Sequence, residues 1–444
     1  MLNDAITFKD LSIFPSGGSE GVVGLIDRTT TAAGKEMLYK HVRKPPATYE
    51  ELLQLQDTIK YWAVHLRHWP AIITNGTLVM LEKFFESADN ISAPPSGLAA
   101  FLGETFQKMF NKGEYFFTQF SVSHISDFLK GCKELSQLNS DNNIPGLLRK
   151  ELSAMQQELQ HPLTDDLIAI TKDTPYRTQA KLSYHVRREM KNRIYRLLQH
   201  YAKLDAWHAM AKATVEHKWV FPELQPAVPL YFEAKGLAHP LLHHPKSYDI
   251  SFNRQQNFLL LTGANMSGKT TFMRSIGVAA LLAHLGMGVP ASMLRTSFFK
   301  GIITNMHVED DLLKGESYFF AEVKRMKLTA EKLLQPEPHL VLMDELFKGT
   351  NVHDAYECTR AVVEGLMNRP DHLKILSTHL YEVAKHFSGR EDILFAYFVT
   401  RMTDDENFHF DYELKEGISQ DRIGYRILQK EGVLDLLRKG KGGK

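Results

Sequence analysis

The most constraining feature of the sequence is a glycine-rich loop that lies between an apolar run and an amphipathic segment. The pattern G-x-x-x-x-G-K-[ST] is matched by Gly263-Ala264-Asn265-Met266-Ser267-Gly268-Lys269-Thr270. The apolar run 258–261 precedes this loop, and a helical apolar face follows it at Phe272, Met273, Ile276 and Ala280. A strand before the loop and a helix after it predict a phosphate-binding loop (P-loop) in an α/β domain.

The residue types of this loop predict how a nucleotide is held. Glycines let the backbone curl so that successive amides face phosphate, and the N-terminus of the helix adds partial positive charge. We expect Lys269 to bridge the β- and γ-phosphates of ATP and Thr270 to bind Mg²⁺. The predicted ATP-binding residues are Gly263, Ala264, Asn265, Met266, Ser267, Gly268, Lys269, Thr270 and Thr271.

A second apolar run, 340–343, ends in the adjacent carboxylates Asp344 and Glu345. Burying such a pair is costly unless positive charge meets it. In a P-loop protein Mg²⁺ supplies this charge, so we predict that Asp344 holds the metal and Glu345 deprotonates the attacking water. The alternative is a solvated acidic turn. A third run, 374–377, leads to His379, which we predict to sense the γ-phosphate from the edge of the sheet where ligands bind.

The pattern of apolar residues changes near residue 224. From about residue 48 the pattern is helical, and its longest stripe is formed by Met190, Ile194, Leu197, Tyr201 and Leu204. Prolines 222 and 226 end this region. Beyond them, apolar runs alternate with helical patterns, which predicts a mostly parallel sheet. The predicted strands are 258–261, 301–306, 340–343 and 374–377, followed by an edge hairpin of 395–402 and 408–414.

The composition excludes several classes of protein but does not indicate a particular class. The 53 basic and 52 acidic residues leave a net charge of +1, so any DNA contact has to be local. The two cysteines, Cys132 and Cys358, lack the spacing of zinc ligands or of a disulfide framework. Neither a membrane-spanning run nor a secretory signal is found, so we expect a cytoplasmic protein without a membrane partner.

The residues around the P-loop resemble the MutS family. Thr262–Arg274 is similar to the family's TGPNMGGKST-x-MR. Three further blocks, in family order, resemble ADDL, G-x-STFM-x-E and DE-x-x-RGTS; they are Val308–Leu312, Gly315–Glu322 and Asp344–Asn351. The stretch Ser377–Leu380 is similar to A-T-H-Y, with Leu380 in place of the tyrosine. Near the N-terminus, Leu25–Gly34 resembles L-x-RT-x-T-x-x-G, from the start of the family's helical lever domain. Ala202–Leu224 resembles the last helix of that domain, where it enters the ATPase domain.

The resemblance implies a multidomain fold, in which an all-α lever domain precedes an α/β P-loop NTPase domain of the ABC type. We expect a helical core or lever domain over 1–224, an ATPase domain over 225–416, and a C-terminal helical segment with a disordered tail over 417–444. Lys348 departs from the family's arginine, and 418–437 looks shorter than its dimerisation element.

We do not expect the protein to read mismatches. The resemblance to the lever domain begins about twenty residues from Met1, which leaves no room for the family's mismatch-reading domain before it. The tripeptide Phe84-Phe85-Glu86 spells the F-x-E of a mismatch reader, but Phe320-Ala321-Glu322 spells it again, so we predict that Phe84 is a core residue.

The resemblance also implies an activity. We expect a homodimeric, DNA-associated, Mg²⁺-dependent ATPase of DNA repair or recombination, acting on double-stranded or branched DNA. Its catalytic residues would be Lys269, Ser317, Glu345 and His379, with Ser317 capping the γ-phosphate of the partner chain. The DNA contacts would come from Arg187, Arg188, Lys191 and Arg196, although a charged helix face is as often merely solvated. The alternatives are an ABC-type ATPase module coupled to another partner, which the absence of LSGGQ disfavours, and a non-enzymatic scaffold.

Overall fold

A computed structural model describes residues 3–87, 112–264, 266–306, 318–402 and 408–419, together with 433, 436 and 437. The chain divides into two compact units. The helical unit consists of Ile26–Val42 and Gln54–Glu216. The sheet unit consists of Met1–Leu25, Arg43–Leu53 and His217–Lys444.

Helices form most of the first half of the chain. In order they are α1 (Ala5–Asp10), α2 (Gly21–Ile26), α3 (Ala32–Arg43), α4 (Tyr49–Val64), α5 (Asn75–Glu86), α6 (Lys112–Gln137), α7 (Gly146–Leu159), α8 (Pro162–Ile168), α9 (Tyr176–His185) and α10 (Lys191–Glu216). A π-helical turn, Val186–Met190, joins α9 to α10. The predicted stripe is confirmed, because Met190, Ile194, Leu197, Tyr201 and Leu204 are all fully buried. Phe84 is also fully buried, which confirms it as a core residue.

Inside the helical unit, Asp205 of α10 holds the beginning of α3. Its carboxylate accepts hydrogen bonds from the amides of Thr30 (2.9 Å) and Thr31 (3.0 Å) and from the Thr31 hydroxyl (2.7 Å). A side chain at Gly34 would lie 2.1 Å from Asp205 Oδ2, so only glycine permits this approach. These contacts give a physical reason for the threonines and the glycine of the Leu25–Gly34 block.

The described part of the sheet unit contains two sheets and four further helices. The strands are β1 (Glu223–Gln225), β2 (Tyr231–Leu237), β3 (Tyr248–Asn253), β4 (Phe258–Thr262), β5 (Met293–Ser297), β6 (Gly301–Asn305), β7 (His339–Asp344), β8 (Leu373–Ser377), β9 (Ile393–Met402) and β10 (Phe408–Glu416). The helices are α11 (Lys269–His284), α12 (Tyr318–Lys332), α13 (Val352–Met367) and α14 (Tyr381–His386).

The larger sheet has the strand order β10-β9-β4-β8-β7-β6. All its neighbouring pairs are parallel except β9 and β10, which form an antiparallel pair at one edge. The predicted strands and the edge hairpin are therefore confirmed. The smaller sheet, with the order β1-β5-β2-β3, lies outside the sequence prediction. In the larger sheet, the carboxyl ends of β4, β7 and β8 open on the same edge, where ligands of parallel sheets bind.

The N-terminal segment belongs to the sheet unit because it covers the outer edge of β6. The amides of Ile302 and Met306 donate to the side chains of Asn3 (2.9 Å) and Asp10 (3.2 Å). An edge strand would otherwise leave such amides unpaired. The compact units are therefore discontinuous along the chain, whereas the predicted domains 1–224, 225–416 and 417–444 are continuous. In the part of the chain that the structure describes, no helix is long and apolar enough to cross a membrane.

Candidate nucleotide-binding site

The loop between β4 and α11 has the backbone of a phosphate cradle. Gly263 and Gly268 have φ angles of 139° and 108°, in the left-handed region that glycine adopts without strain. Met266 shares this region with a φ of 66° and has an exposed side chain. Asn265 lies outside the described residues. The loop leads directly into α11, so the amides at the beginning of this helix face the edge of the sheet.

Lys269 is buried at the beginning of α11 and turns back onto the loop. Its Nζ donates hydrogen bonds to the carbonyl oxygens of Gly263 (2.9 Å) and Ala264 (2.8 Å). Burial lowers the pKa of Lys269, against the opposing charges of Glu345 and Asp344. The ammonium group is thus held among acceptors that an anion can replace, and its desolvation strengthens its attraction to such an anion.

Thr270 and Asp344 meet at the carboxyl ends of β4 and β7. The Thr270 hydroxyl donates a 2.6 Å hydrogen bond to Asp344 Oδ2. Asp344 Oδ1 and the Ser267 hydroxyl are buried without a hydrogen-bond partner among the described residues. A hydroxyl and a carboxylate oxygen are ligands that Mg²⁺ accepts, and a buried carboxylate oxygen without a partner leaves a place for a cation. These residues fit the predicted metal.

Glu345 follows β7 with a φ of 50°, which side chains rarely adopt. Lys348 Nζ lies 2.8 Å from its Oε2, and His379 Nε2 contacts its Oε1. Burial raises the pKa of Glu345, but hydrogen bonds and charge from His379 and Lys348 lower it to about 2. The Nδ1 of His379 is 3.1 Å from the carbonyl oxygen of Gly263. The imidazole therefore connects the carboxylate to the loop.

The structure brings together the side chains of five predicted site residues, namely Lys269, Thr270, Asp344, Glu345 and His379, and the carbonyl groups of Gly263 and Ala264. Thr271 occupies the first turn of α11. Ser317 and the block Val308–Leu312 lie outside the described residues. This cluster can bind phosphate, hold a divalent cation and accept a proton, and the roles of the individual residues stay predictions.

The four basic residues predicted to contact DNA differ in their surroundings. The guanidinium of Arg187 lies 3.9 Å from the ring centre of Phe84, and burial lowers its pKa to about 10. Arg196 forms a bidentate pair with Glu158, at 2.6 and 2.9 Å. Arg188 and Lys191 are exposed. These last two are the residues best able to contact a phosphate backbone.

Three residues next to the cluster had no predicted role. Glu322 accepts hydrogen bonds from the amides of Lys348 and Gly349, on the loop that follows β7. Lys348 stands where the family pattern has arginine. A side chain at Gly268 would lie 3.2 Å from Tyr412 Cδ1, so this ring borders the loop from β10. The contact of Tyr412 depends on a strand pairing that is distant in sequence, so no local pattern could reveal it.

Comparisons with known proteins point to one family. Residues 259–436 match the family described as MutS domain V. The chain is 29% identical over 250 residues to the DNA mismatch repair protein MutS of Thermotoga petrophila, covering 54% of the chain and 30% of the relative. The corresponding protein of Thermotoga maritima is 30% identical over 242 residues, which cover 53% and 29%. That of Pelotomaculum thermopropionicum is 31% identical over 199 residues, which cover 43% and 23%.

The matched part spans less than a third of the length of each of these relatives. The match to the family model begins inside β4 and contains the P-loop, the two carboxylates and His379. The family match and the geometry of the cluster therefore concern the same residues, and the chain is a MutS-like protein with a MutS domain V over residues 259–436.

Proposed function

We propose that the chain binds ATP with Mg²⁺ and hydrolyses it. The observation that carries this proposal is the 2.6 Å hydrogen bond between Thr270 and Asp344, which joins the P-loop helix to the carboxyl end of β7. The same two side chains would hold Mg²⁺, which supplies positive charge to the phosphates when bound. The match to MutS domain V supports this assignment.

The residues of the cluster divide the reaction between them. Lys269 exchanges the carbonyl oxygens of Gly263 and Ala264 for phosphate oxygens, and the loop amides add further donors. Glu345 receives a proton from the water that attacks the γ-phosphorus, while the bond to the β–γ bridging oxygen breaks and ADP leaves. Lys348 and His379 contact both oxygens of Glu345 and lower its pKa, so opening one of these contacts would make the carboxylate a better proton acceptor.

We further propose that the protein acts as a homodimer on DNA, in repair or recombination, with ATP hydrolysis coupled to movement of the lever. The relatives are named as DNA mismatch repair proteins, and the block that contains Ser317 resembles the family's G-x-STFM-x-E. Exposed Arg188 and Lys191 support a backbone contact with double-stranded or branched DNA. A cytoplasmic location is part of the same proposal.

The proposal includes binding that does not read mismatches. Phe84, the aromatic residue of the F-x-E tripeptide in the helical unit, is fully buried beneath Arg187 and cannot insert between bases. The second F-x-E, at Phe320, begins two residues into α12 of the sheet unit. Contacts to phosphates would then supply the affinity, and such contacts carry no direct base readout.

ATP hydrolysis by the wild-type chain, with Mg²⁺ or with EDTA, tests the core of the proposal. Lys269→Ala removes the buried cation of the loop, while Lys327→Ala makes the same change at an exposed lysine of α12. We expect Mg²⁺-dependent turnover in the wild type and in Lys327→Ala, and a loss of about 100-fold or more in Lys269→Ala. A wild type without Mg²⁺-dependent hydrolysis would overturn the proposal.

A binding panel tests the DNA part separately. Matched duplex, single-mismatch duplex, a four-way junction and single-stranded DNA are titrated with and without ATP. We expect binding to duplex or junction DNA, with affinities for matched and mismatched duplex that agree within about tenfold, or about 1.4 kcal/mol. A larger preference for the mismatch would contradict the proposed lack of mismatch reading, and no binding to any of the four would remove DNA as the partner.

A further inference from the structure

Glu322 buries a carboxylate against the backbone of the loop that follows β7. The residue is 4% exposed and lies in the second turn of α12. Its Oε1 accepts the amide hydrogen of Lys348 at 3.1 Å, and its Oε2 accepts that of Gly349 at 3.2 Å. A buried carboxylate is costly without such donors, so the two amides are what makes this position tolerable.

The beginning of α12 and this loop also touch through their backbones. A side chain at Gly349 would lie 2.6 Å from the amide nitrogen of Phe319, a distance that no real side chain adopts. The rings of Phe319 and Phe347 pack with centroids 5.9 Å apart. The carboxylate, the glycine and the aromatic pair therefore fasten the loop to α12 at three separate points.

The loop needs this support because its backbone is strained. Glu345 and Phe347 have φ angles of 50° and 60°, and each such residue costs free energy unless its surroundings hold it. The amides that Glu322 binds belong to the two residues that follow Phe347. Within the same loop, Lys348 Nζ lies 2.8 Å from Glu345 Oε2. The strained backbone and the ion pair thus belong to one loop, which Glu322 binds from α12.

We propose that Glu322 is a positioning residue for ATP hydrolysis: it fixes the loop Glu345–Gly349 and thereby aims the carboxylate of Glu345. This inference rests on the proposed function, since it concerns the same reaction. Glu322 binds the backbone of the loop and no atom of the phosphate-binding segment Gly263–Thr270 within its described part. Its loss should consequently affect turnover rather than the affinity for ATP.

The test compares Glu322→Gln with Glu331→Gln, an identical substitution at an exposed position of the same helix. Glutamine at position 322 has the shape of glutamate. Its side-chain NH₂ group is a donor, however, and would face a backbone N–H of the loop, which needs an acceptor. Gly349→Ala disturbs the same junction, the contact between α12 and the loop Glu345–Gly349, from the side of the loop. We expect kcat to fall about tenfold or more in Glu322→Gln and in Gly349→Ala, while the Kd for ATP stays within about twofold of the wild type.

Each outcome of this experiment has a distinct meaning. A wild type without ATPase activity would overturn the proposed function itself. An active wild type with unchanged kcat in Glu322→Gln would overturn the positioning role alone. Equal losses of ATP binding and turnover in both junction variants, with lowered melting temperatures, would also overturn it, because they indicate a structural role. If one variant does not fold, the other still separates kcat from Kd.

Discussion

The ammonium group of Lys348 lies 2.8 Å from one carboxylate oxygen of Glu345, and the imidazole of His379 contacts the other oxygen. Although burial raises the pKa of Glu345, these two partners lower it to about 2. The carboxylate is therefore ionised at neutral pH but is a weak base while both partners stay in place. Displacing either partner would raise the pKa and turn the same group into a better proton acceptor.

Glu345→Gln should separate ATP binding from hydrolysis. The amide keeps the size of the side chain but cannot accept the proton of the attacking water, so kcat should fall about 100-fold or more. Because Lys269 and the loop still hold the phosphates, the Kd for ATP should change by less than about threefold. Fluorescence titration with an ATP analogue and a phosphate-release assay measure the two quantities. Equal losses of binding in Glu345→Gln and Lys269→Ala would refute this division of roles.

Thr270 should show its role through the metal. Thr270→Val keeps the shape of the side chain but lacks the hydroxyl that reaches Asp344, whereas Thr270→Ser keeps it. We expect Thr270→Val to lose at least about tenfold in turnover or to need more Mg²⁺ for half-maximal activity, and Thr270→Ser to stay near the wild type. The measurement is a Mg²⁺ titration at saturating ATP. If valine and serine gave the same curve, the hydroxyl would have no part in binding the metal.

The local parts of this site follow from the sequence, because each consists of an apolar strand and the residues immediately after it. The P-loop after β4, Asp344 at the end of β7 and His379 after β8 lie at one edge for this reason. The smaller sheet is different. Its strand β1 has three residues and pairs with β5 about seventy residues later, so no local pattern marks it.

Long-range contacts also explain why the chain is divided as it is. Asn3 pairs with β6, and Asp10 pairs with Met306 directly after it, almost three hundred residues away. Hydrophobic periodicity near the N-terminus does not identify these partners. The role inferred for Glu322 is unpredictable for a related reason. It depends on the positive φ angles of the loop after Glu345, and sequence patterns do not specify these angles at non-glycine residues.

The stability of the sheet unit should decrease when the pH falls below about 6.5. Burial lowers the pKa of His284 to about 4, and its two ring nitrogens bond to the carbonyl of Ala280 and the amide of Phe299, both at 2.7 Å. In the unfolded chain the imidazole binds a proton near pH 6.5. Between pH 6.5 and 4 the unfolded state therefore binds more protons, so the free energy of unfolding falls, by about 1.4 kcal/mol for one such histidine at pH 5.5.

Comparing wild type with His284→Gln isolates this contribution. The variant has a lower stability at every pH, since a buried ring is lost, but the change in its unfolding free energy between pH 7.5 and 5.5 should be smaller by about 1.4 kcal/mol. Urea titrations at the two pH values provide the comparison. Identical pH dependence in both proteins would mean that His284 does not titrate differently in the folded and unfolded states.

Ser317 should act across the proposed dimer. A chain with Ser317→Ala keeps Glu345, and a chain with Glu345→Gln keeps Ser317, so a mixed dimer contains one complete composite site. Each variant alone should be nearly inactive, while an equal mixture should recover up to about a quarter of the wild-type turnover, because half of the dimers are mixed and each has one working site. A mixture no more active than its separate components would argue against a site shared between two chains.

The last prediction concerns the salt dependence of DNA binding. Each neutralised phosphate of duplex DNA contributes about 0.9 to the slope of log affinity against log salt. Arg188 and Lys191 are exposed, whereas Arg196 is held by Glu158. Arg188→Ala combined with Lys191→Ala should therefore reduce the slope by about 1.8, uniformly across DNA sequences.

Arg196→Ala serves as the matched control, because this guanidinium already has a partner and should change the slope by less than about half a contact. Binding isotherms between 50 and 200 mM salt, roughly the range in which such contacts weaken, give the slopes. An unchanged slope in the double variant would indicate that this helix face is only solvated and that DNA binds to another part of the protein.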